Sequence, residues 1–147
     1  LAQLLKPDAL VLLSPTLSFC RRDNFRYGLR STTLNSMILA LENDKDSVLE
    51  QFFLNCGLKQ KRFTNTYSSD ELRCGLQFLA QVHLKHLHSL QCPVLCFHGK
   101  QDRIIPVNAG RTVCEILEGI MYETSGSHVF FQQSSNEIIS TIESIMR

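Results

Sequence analysis

An aspartate and a histidine occupy positions where two side chains of a catalytic site are expected. Asp102 closes a Gly-x-x-Asp turn after the apolar run 93–97, and His128 closes a Gly-Ser-His sequence after the run 119–124. If these runs are neighbouring parallel strands, both side chains lie past one edge of the sheet. Such an aspartate holds the imidazole in one tautomer and stabilises the imidazolium that forms when the histidine accepts a proton. Alone, each residue has a structural explanation, as a turn cap or a loop histidine; together they predict the acid and base of a catalytic triad.

No nucleophile is evident beside this pair. The Gly-x-Ser-x-Gly sequence that exposes a serine on a strained strand-to-helix turn does not occur in the chain. Ser14 ends an apolar run but precedes a proline, and Ser127 adjoins the histidine too closely for the two side chains to face each other. Cys20 lies beside arginines that could activate a thiol, but a small apolar packing residue is the better explanation. We therefore expect the nucleophile to lie outside this sequence.

The other histidines and the cysteines do not form a metal site in this interpretation. His98 ends an apolar run and is expected to pack under the Gly-x-x-Asp turn. His83, His86 and His88 are spaced too irregularly to present a pair of metal ligands on one face of a helix. The six cysteines include no Cys-x-x-Cys pair. We expect reduced thiols, as in a cytoplasmic protein.

The elements that position these residues follow from the pattern of apolar residues. Three short apolar runs predict strands buried in a parallel sheet: 9–13, 93–97 and 119–124. Helical spacing predicts a helix over 107–117 after Pro106, and a last helix capped by Ser134 or Ser135. Strand, helix, strand, helix is the order of an α/β fold whose sheet is covered on both faces.

The middle of the chain has no strand signal. Helical spacing predicts three helices there: 32–41, 47–54 and 69–83. A helical insertion between two strands of a parallel sheet is expected to cover the carboxyl edge of the sheet as a lid. We therefore divide the chain into a core, residues 1–15 and 91–147, and a lid segment, residues 16–90.

Composition limits the classes of partner. The 147 residues are 44% hydrophobic and 20% charged with a net charge of +1, which is typical of a globular domain and indicates neither nucleic acid nor a membrane surface as a partner. No apolar run reaches the roughly 20 residues that a membrane-spanning helix needs. The chain begins at Leu1 inside a helix-like stretch, so we expect further residues upstream.

At both ends, residues 1–19 and 92–147, the chain resembles the α/β-hydrolases, whose triad partners follow in the order Ser, Asp, His. The middle resembles the pimeloyl-[acyl-carrier protein] methyl ester esterases of biotin synthesis. There a Ser-Pro and Arg-Asp segment leads into a lid, matched by residues 14–23, and a Gly-Leu-x-x-Leu helix returns to the sheet, matched by 75–79. The missing Gly-x-Ser-x-Gly turn is a departure, and the resemblance implies a serine roughly 8 residues before Leu1.

The resemblance also implies roles for particular residues. Asp102 and His128 match the acid and base of the triad. Four arginines are implied to bind the phosphopantetheine phosphate or the acidic carrier protein, with the second of them at the entrance: Arg21, Arg22, Arg26 and Arg30. Guanidinium groups suit this role because they bind phosphate in a forked geometry and attract acidic partners. An ordinary solvated surface explains these arginines equally well.

The chain is thus identified as the C-terminal part of an α/β-hydrolase with a helical lid. It is predicted to be a serine-type carboxylic ester hydrolase, and the resemblance implies that it demethylates a pimeloyl-acyl-carrier-protein methyl ester. A general carboxylesterase, a thioesterase of the same fold, or a non-catalytic relative that binds through its arginines are the alternatives. The expected partner is a carrier-linked or small ester, without a cofactor, a metal, nucleic acid or a membrane.

Overall fold

The computed structural model describes residues 6–58 and 66–145, and the predicted helical stretch at 1–5 lies outside them. In this part of the chain, three parallel strands form a sheet: β1 Leu10–Leu13, β2 Val94–Gly99 and β3 Ile120–Thr124. The order is β1-β2-β3, with Leu12 opposite Cys96 and Phe97 opposite Tyr122. The three runs predicted as parallel strands are therefore confirmed.

Strand β2 is central because its side chains can be buried on both faces. Every residue of its VLCFHG sequence is buried. Side chains alternate between the two faces of a strand, so Val94 and Cys96 enter one apolar cluster and Leu95 and Phe97 enter another. A continuous apolar run is typical of a parallel strand with helices on both sides.

Among the described residues between β1 and β2 there are three helices: α1 Ser31–Asn43, α2 Lys45–Asn55 and α3 Ser69–Gln81. Helix α2 begins where the Asp44 carboxylate accepts the N–H of Ser47 at 3.0 Å. Helix α3 begins with a capping box, in which the side chains of Ser68 and Glu71 each accept the other's backbone N–H. The three helices predicted for the lid segment are confirmed, with shifted ends.

The end of α3 differs from the prediction. The helix stops at Gln81 and does not reach His83, because the following residues pair with the segment after β1. The hydroxyl of Ser18 donates to the Val82 carbonyl at 3.1 Å, and Ser18 and His83 form an antiparallel bridge. This tertiary pairing replaces the last half-turn of helix that the apolar spacing predicts.

The remaining two helices cover the two faces of the sheet: α4 Val107–Ile116 and α5 Phe131–Ile145. Helix α4 follows Pro106 as predicted, and its Ala109 and Val113 pack in the cluster that contains Cys96. Ile138 of α5 packs on the other face, in the cluster that contains Phe97. In the described part of the chain, α4 and α5 therefore pack on opposite faces of the sheet.

Helix α5 is assigned from Phe131, three residues before the start predicted at Ser134 or Ser135. The N–H groups of Gln133 and Ser134 both donate to the carbonyl of buried Phe130, at 2.9 and 3.0 Å, which forms a first turn. Ser134 then departs from helical geometry, with φ −109° and ψ 17°. Two helical segments therefore meet at this kink, and the predicted helix corresponds to the second of them, after an added first turn.

The described residues also bear on membranes, metals and disulfides. Within residues 6–58 and 66–145, no helix is both long and apolar enough to cross a membrane. The same ranges hold no group of three or more His, Cys, Asp or Glu side chains arranged to bind a metal ion. All six cysteines are free thiols.

Candidate active site

The loops that follow β2 and β3 are held against each other at the carboxyl edge of the sheet. The N–H of Gln101 donates to the carbonyl of Gly126 at 2.8 Å. Gly99 permits this approach, because a Cβ there would lie 2.3 Å from the carbonyl oxygen of Ser127. Backbone packing therefore fixes the distance between the loops that carry the predicted acid and base.

The carboxylate of Asp102 accepts four hydrogen bonds from three parts of the chain. Its Oδ1 accepts the N–H groups of Ile104 and Ile105, both at 2.8 Å. Its Oδ2 accepts Nδ1–H of His128 at 2.8 Å and the hydroxyl of Ser14 at 3.1 Å. The Asp102 side chain is fully buried, so these protein donors replace water around the carboxylate.

These contacts determine the protonation of the pair. Burial raises the pKa of the Asp102 carboxyl, but the imidazoles of His128 and His98 and the N–H of Ile105 outweigh burial and hold this pKa well below its usual range. The carboxyl is therefore ionised at neutral pH. Because an ionised carboxylate can only accept hydrogen bonds, Nδ1 of His128 is the donor in this contact, and Nε2 is the acceptor nitrogen of the neutral imidazole.

The imidazole of His128 is open on the side away from the carboxylate. Its side chain is 29% exposed, and its Nε2 makes no hydrogen bond to the residues described. An imidazole bound to a buried carboxylate through one nitrogen, with the other nitrogen accessible, has the geometry of a general base. The structure thus brings Asp102 and His128 into contact, in the orientation that a triad requires.

His98 packs beneath the acid loop, the segment 100–106 between β2 and α4 that carries Asp102, as expected. It is fully buried, and its Nε2–H donates to the Ile105 carbonyl at 2.8 Å while lying 3.4 Å from Oδ2 of Asp102. Its Nδ1 has no hydrogen-bond partner in the described part of the chain. A Cβ on Gly110 of α4 would lie 2.3 Å from that nitrogen, so the ring is enclosed by a helix and unable to reach a substrate.

The residues considered as substitute nucleophiles are engaged elsewhere. The hydroxyl of Ser14 points to the Asp102 carboxylate and not to the imidazole. Cys20 is buried, and burial raises the pKa of its thiol more than the nearby Arg22 lowers it. Within the described ranges, neither these two groups nor the hydroxyl of Ser127 is hydrogen-bonded to His128.

The end of α2 contacts the loop of the predicted base, which the sequence did not indicate. The carbonyl of Cys56 accepts the N–H of Val129 at 3.4 Å. Gly57 is packed so tightly that a Cβ there would lie 1.9 Å from Oγ of Ser127. Burial and the charge of the neighbouring carboxylate raise the pKa of the Cys56 thiol to about 11, so this thiol is protonated at neutral pH. The lid segment therefore packs directly on the loop that carries His128.

The four arginines differ in their surroundings. Arg22 is half-buried, and its guanidinium donates to the Ala80 carbonyl at the end of α3 and, through Nε, to the Ser18 hydroxyl at 3.3 Å. It therefore ties the segment after β1 to α3. The other three arginines are exposed: Arg21, Arg26 and Arg30. Their binding of a carrier protein stays a prediction.

A cavity of about 650 Å³ lies between the lid segment and the acid loop. Helices α1 and α2 contribute apolar side chains such as Met37 and Phe52, and Phe19 of the segment after β1 also lines the cavity. Arg103 and Ile104 border the cavity from the acid loop. The N–H of Ile104 also donates to the Asp102 carboxylate, so one residue of the cavity lining contacts the acid, although neither Asp102 nor His128 is among the lining residues.

These features define the class of fold. Parallel strands flanked by helices, a helical insertion after β1, and a carboxylate and imidazole past the carboxyl edge of the sheet belong to the α/β-hydrolase fold, and this chain has that fold.

Comparison with known proteins agrees with this class. No protein-family model matches the chain. The chain is 26% identical over 149 aligned positions to the AB hydrolase superfamily protein YisY of Bacillus subtilis (strain 168), an alignment that covers 86% of this chain and 52% of that protein. The chain therefore spans about half the length of the curated relative it matches.

Solved structures show the same architecture. An esterase (EaEST) from Exiguobacterium antarcticum superimposes with a TM-score of 0.81 at 18% identity, over 95% of this chain and 57% of that one. A bromoperoxidase from Bacillus anthracis gives 0.62 at 18% identity, over 92% and 56% of the two chains. The hydrolase olei00960 from Oleispira antarctica gives 0.65 at 12% identity, over 95% and 56%.

Proposed function

We propose that this chain is the C-terminal part of a serine-type carboxylic ester hydrolase in which His128 is the general base and Asp102 its orienting acid. The hydrogen bond from His128 Nδ1 to the buried, ionised carboxylate carries the proposal, since it leaves Nε2 accessible and able to accept a proton. The similarity to hydrolases and esterases supports the same class of reaction.

The reaction follows from the positions of the two groups. Nε2 of His128 takes the proton of a serine hydroxyl while the serine oxygen attacks the ester carbonyl. The Asp102 carboxylate stabilises the imidazolium, which then gives its proton to the leaving alcohol. Water attacks the acyl-enzyme by the same route, and the carboxylic acid and the free serine are released.

The nucleophilic serine is proposed to precede Leu1 in the full-length protein. The two hydroxyl groups considered near the pair do not suit this role. The hydroxyl of Ser14 is bonded to the Asp102 carboxylate, and the side chain of Ser127 packs against Gly57. The curated relative is about twice as long as the aligned part. A Gly-x-Ser-x-Gly turn upstream would supply both the serine and a part of the oxyanion hole.

The cavity supports an acyl ester as the substrate. Its volume of about 650 Å³ lies within the roughly 300–1,000 Å³ that ligand pockets span, and its lining is mainly apolar. The finer proposal is a methyl ester on an acyl chain bound to acyl carrier protein, such as the pimeloyl chain. Exposed Arg21, Arg26 and Arg30 offer positive charge to an acidic carrier.

Hydrolysis of a short-chain p-nitrophenyl ester by the full-length protein tests the reaction. His128→Ala is expected to lower kcat by at least about 10³-fold, because the serine loses its base. His86→Ala is the matched control, since His86 is exposed on the lid segment, and it should retain wild-type kcat. Wild-type kcat in His128→Ala would refute the assignment, and absence of any hydrolysis would favour a non-catalytic binding protein.

The substrate proposal needs a separate comparison. Rates are measured for a carrier-linked acyl methyl ester, the free acyl methyl ester and the corresponding thioester. Replacing Arg21, Arg26 and Arg30 together by alanine should lower kcat/KM for the carrier-linked ester alone, most strongly at low salt. Equal losses for free and carrier-linked esters would contradict the carrier role, and preference for the thioester would identify a thioesterase.

A further inference from the structure

Ser14 has a backbone conformation that L residues rarely adopt. It follows β1, and its N–H donates to the Phe97 carbonyl at 2.9 Å, which extends the pairing of β1 with β2. Its φ of 46° lies in the left-handed region, where glycine is the usual residue. Strained backbone of this kind is concentrated at functional sites. A serine in place of glycine at such a position suggests a functional role for its hydroxyl.

The side chain of Ser14 reaches the acid of the site. Its hydroxyl lies 3.1 Å from Oδ2 of Asp102, the same oxygen that accepts Nδ1–H of His128 at 2.8 Å. Since the carboxyl is ionised, the serine must be the donor. The Asp102 side chain is fully buried, so little solvent is present to replace this hydrogen bond.

The remaining polar groups around the Asp102 carboxylate bind Oδ1 or lie farther from Oδ2 than Ser14 does. The N–H groups of Ile104 and Ile105 both bind Oδ1, so they fix one oxygen of the carboxylate. His98 lies farther from Oδ2, at 3.4 Å, and its Nε2–H donates to a backbone carbonyl at 2.8 Å. The Ser14 hydroxyl therefore shares Oδ2 with the imidazole of His128.

We propose that Ser14 is a positioning residue that fixes the orientation of the Asp102 carboxylate relative to His128. Its contribution to turnover rests on the proposed esterase function, but its effect on the hydrogen bond between aspartate and histidine does not. A structural role limited to joining β1 with the acid loop would affect stability alone. The proposal predicts a change in the imidazole hydrogen bond and in kcat.

The test uses Ser14→Ala and Ser14→Gly in the full-length protein. Glycine adopts the left-handed conformation without strain, so Ser14→Gly removes the hydroxyl while keeping the backbone favourable. Ser140→Ala is the control, because that residue is exposed on α5 and its hydroxyl donates to the Glu137 carbonyl of the same helix. All variants are compared by thermal unfolding, proton NMR and steady-state kinetics.

The NMR measurement follows the Nδ1 proton of His128 and requires no turnover. In both Ser14 variants we expect its resonance to broaden and move upfield, because the carboxylate turns and the hydrogen bond weakens, with no change in Ser140→Ala. An unchanged resonance in Ser14→Gly would overturn the proposal. A sharp resonance shifted downfield would also overturn it, since the hydroxyl would then only compete with the imidazole for Oδ2.

The kinetic measurement separates positioning from substrate binding. Loss of one hydrogen bond to a charged group should lower kcat about tenfold in both Ser14 variants, with KM within about twofold of wild type. Wild-type kcat in Ser14→Gly would overturn the contribution to turnover. If the wild-type protein itself does not hydrolyse esters, the proposed function fails while the NMR result still decides the role of Ser14.

Discussion

Replacing Gly57 by alanine should disturb both the end of α2 and the loop that carries His128. Gly57 has φ +85° and ends the helix in a Schellman motif, in which its N–H donates to the Leu54 carbonyl and that of Leu58 to the Phe53 carbonyl, both at 3.0 Å. An L residue in this conformation costs about 1–2 kcal/mol. The backbone alone therefore predicts a measurable loss of stability.

A second cost comes from contact with the neighbouring loop. A Cβ on Gly57 would lie 1.9 Å from Oγ and 2.4 Å from Cβ of Ser127, far inside van der Waals contact. Overpacking of this kind costs about 1–3 kcal/mol. We expect Gly57→Ala to lower the free energy of unfolding by about 2–5 kcal/mol in total. If the loop of Ser127 moves to relieve the clash, we expect the adjacent His128 to be displaced with it.

Urea denaturation of a double-mutant cycle measures the two costs separately. Ser127→Gly removes both close atoms and leaves the Cα at 3.9 Å, so the double variant should recover about 1–3 kcal/mol and retain only the backbone cost. Gly75→Ala is the control, because outside the backbone of α3 itself no atom of the described residues lies within 4 Å of a Cβ in that position, and it should stabilise the protein by about 0.5–1 kcal/mol. A stable Gly57→Ala, or additive single changes, would refute the packing described here.

Two further predictions concern Arg22 and Asp102. Arg22→Ala should lower the free energy of unfolding by about 1–3 kcal/mol, because its guanidinium donates to the Ala80 carbonyl. Replacing exposed Arg26 by alanine should change the free energy of unfolding by less than about 0.5 kcal/mol. Equal effects of the two substitutions in urea denaturation would contradict the anchoring role of Arg22. The lowered pKa of Asp102 means that its ionised form stabilises the fold above the unfolded pKa of about 3.9 and that this stabilisation is lost as pH falls through the native pKa. Asp102→Asn should therefore be less stable than wild type at pH 7 by about 1–3 kcal/mol, with a difference that shrinks below about pH 4; a difference independent of pH would exclude this linkage.

The main elements of the fold were predictable because they follow from local patterns. The apolar run ending at Phe97 is buried on both faces of the sheet, so it has the composition of a central parallel strand. The strand-end positions of Asp102 and His128 then require their side chains to meet, and the structure places them 2.8 Å apart. Periodicity and turn residues were sufficient for both inferences.

Contacts between distant segments could not be predicted from these patterns. Ser14 reaches Asp102 across 88 positions of sequence, and nothing near the serine signals its left-handed backbone. The start of α5 depends on buried Phe130, whose carbonyl collects the first N–H groups of the helix before Ser134. The half-buried state of Arg22 likewise depends on where α3 ends. Each of these features is set by tertiary packing.

Labelling of the full-length protein with a fluorophosphonate tests most directly whether the Asp102 and His128 pair activates a serine. Such a probe reacts with a serine only when a base removes the hydroxyl proton. We expect one phosphonylated peptide, with the adduct on a Gly-x-Ser-x-Gly serine that precedes Leu1, and a labelling rate reduced by at least about 10³-fold in His128→Ala but not in His86→Ala. The absence of an adduct, or an adduct formed equally fast in His128→Ala, would contradict the account.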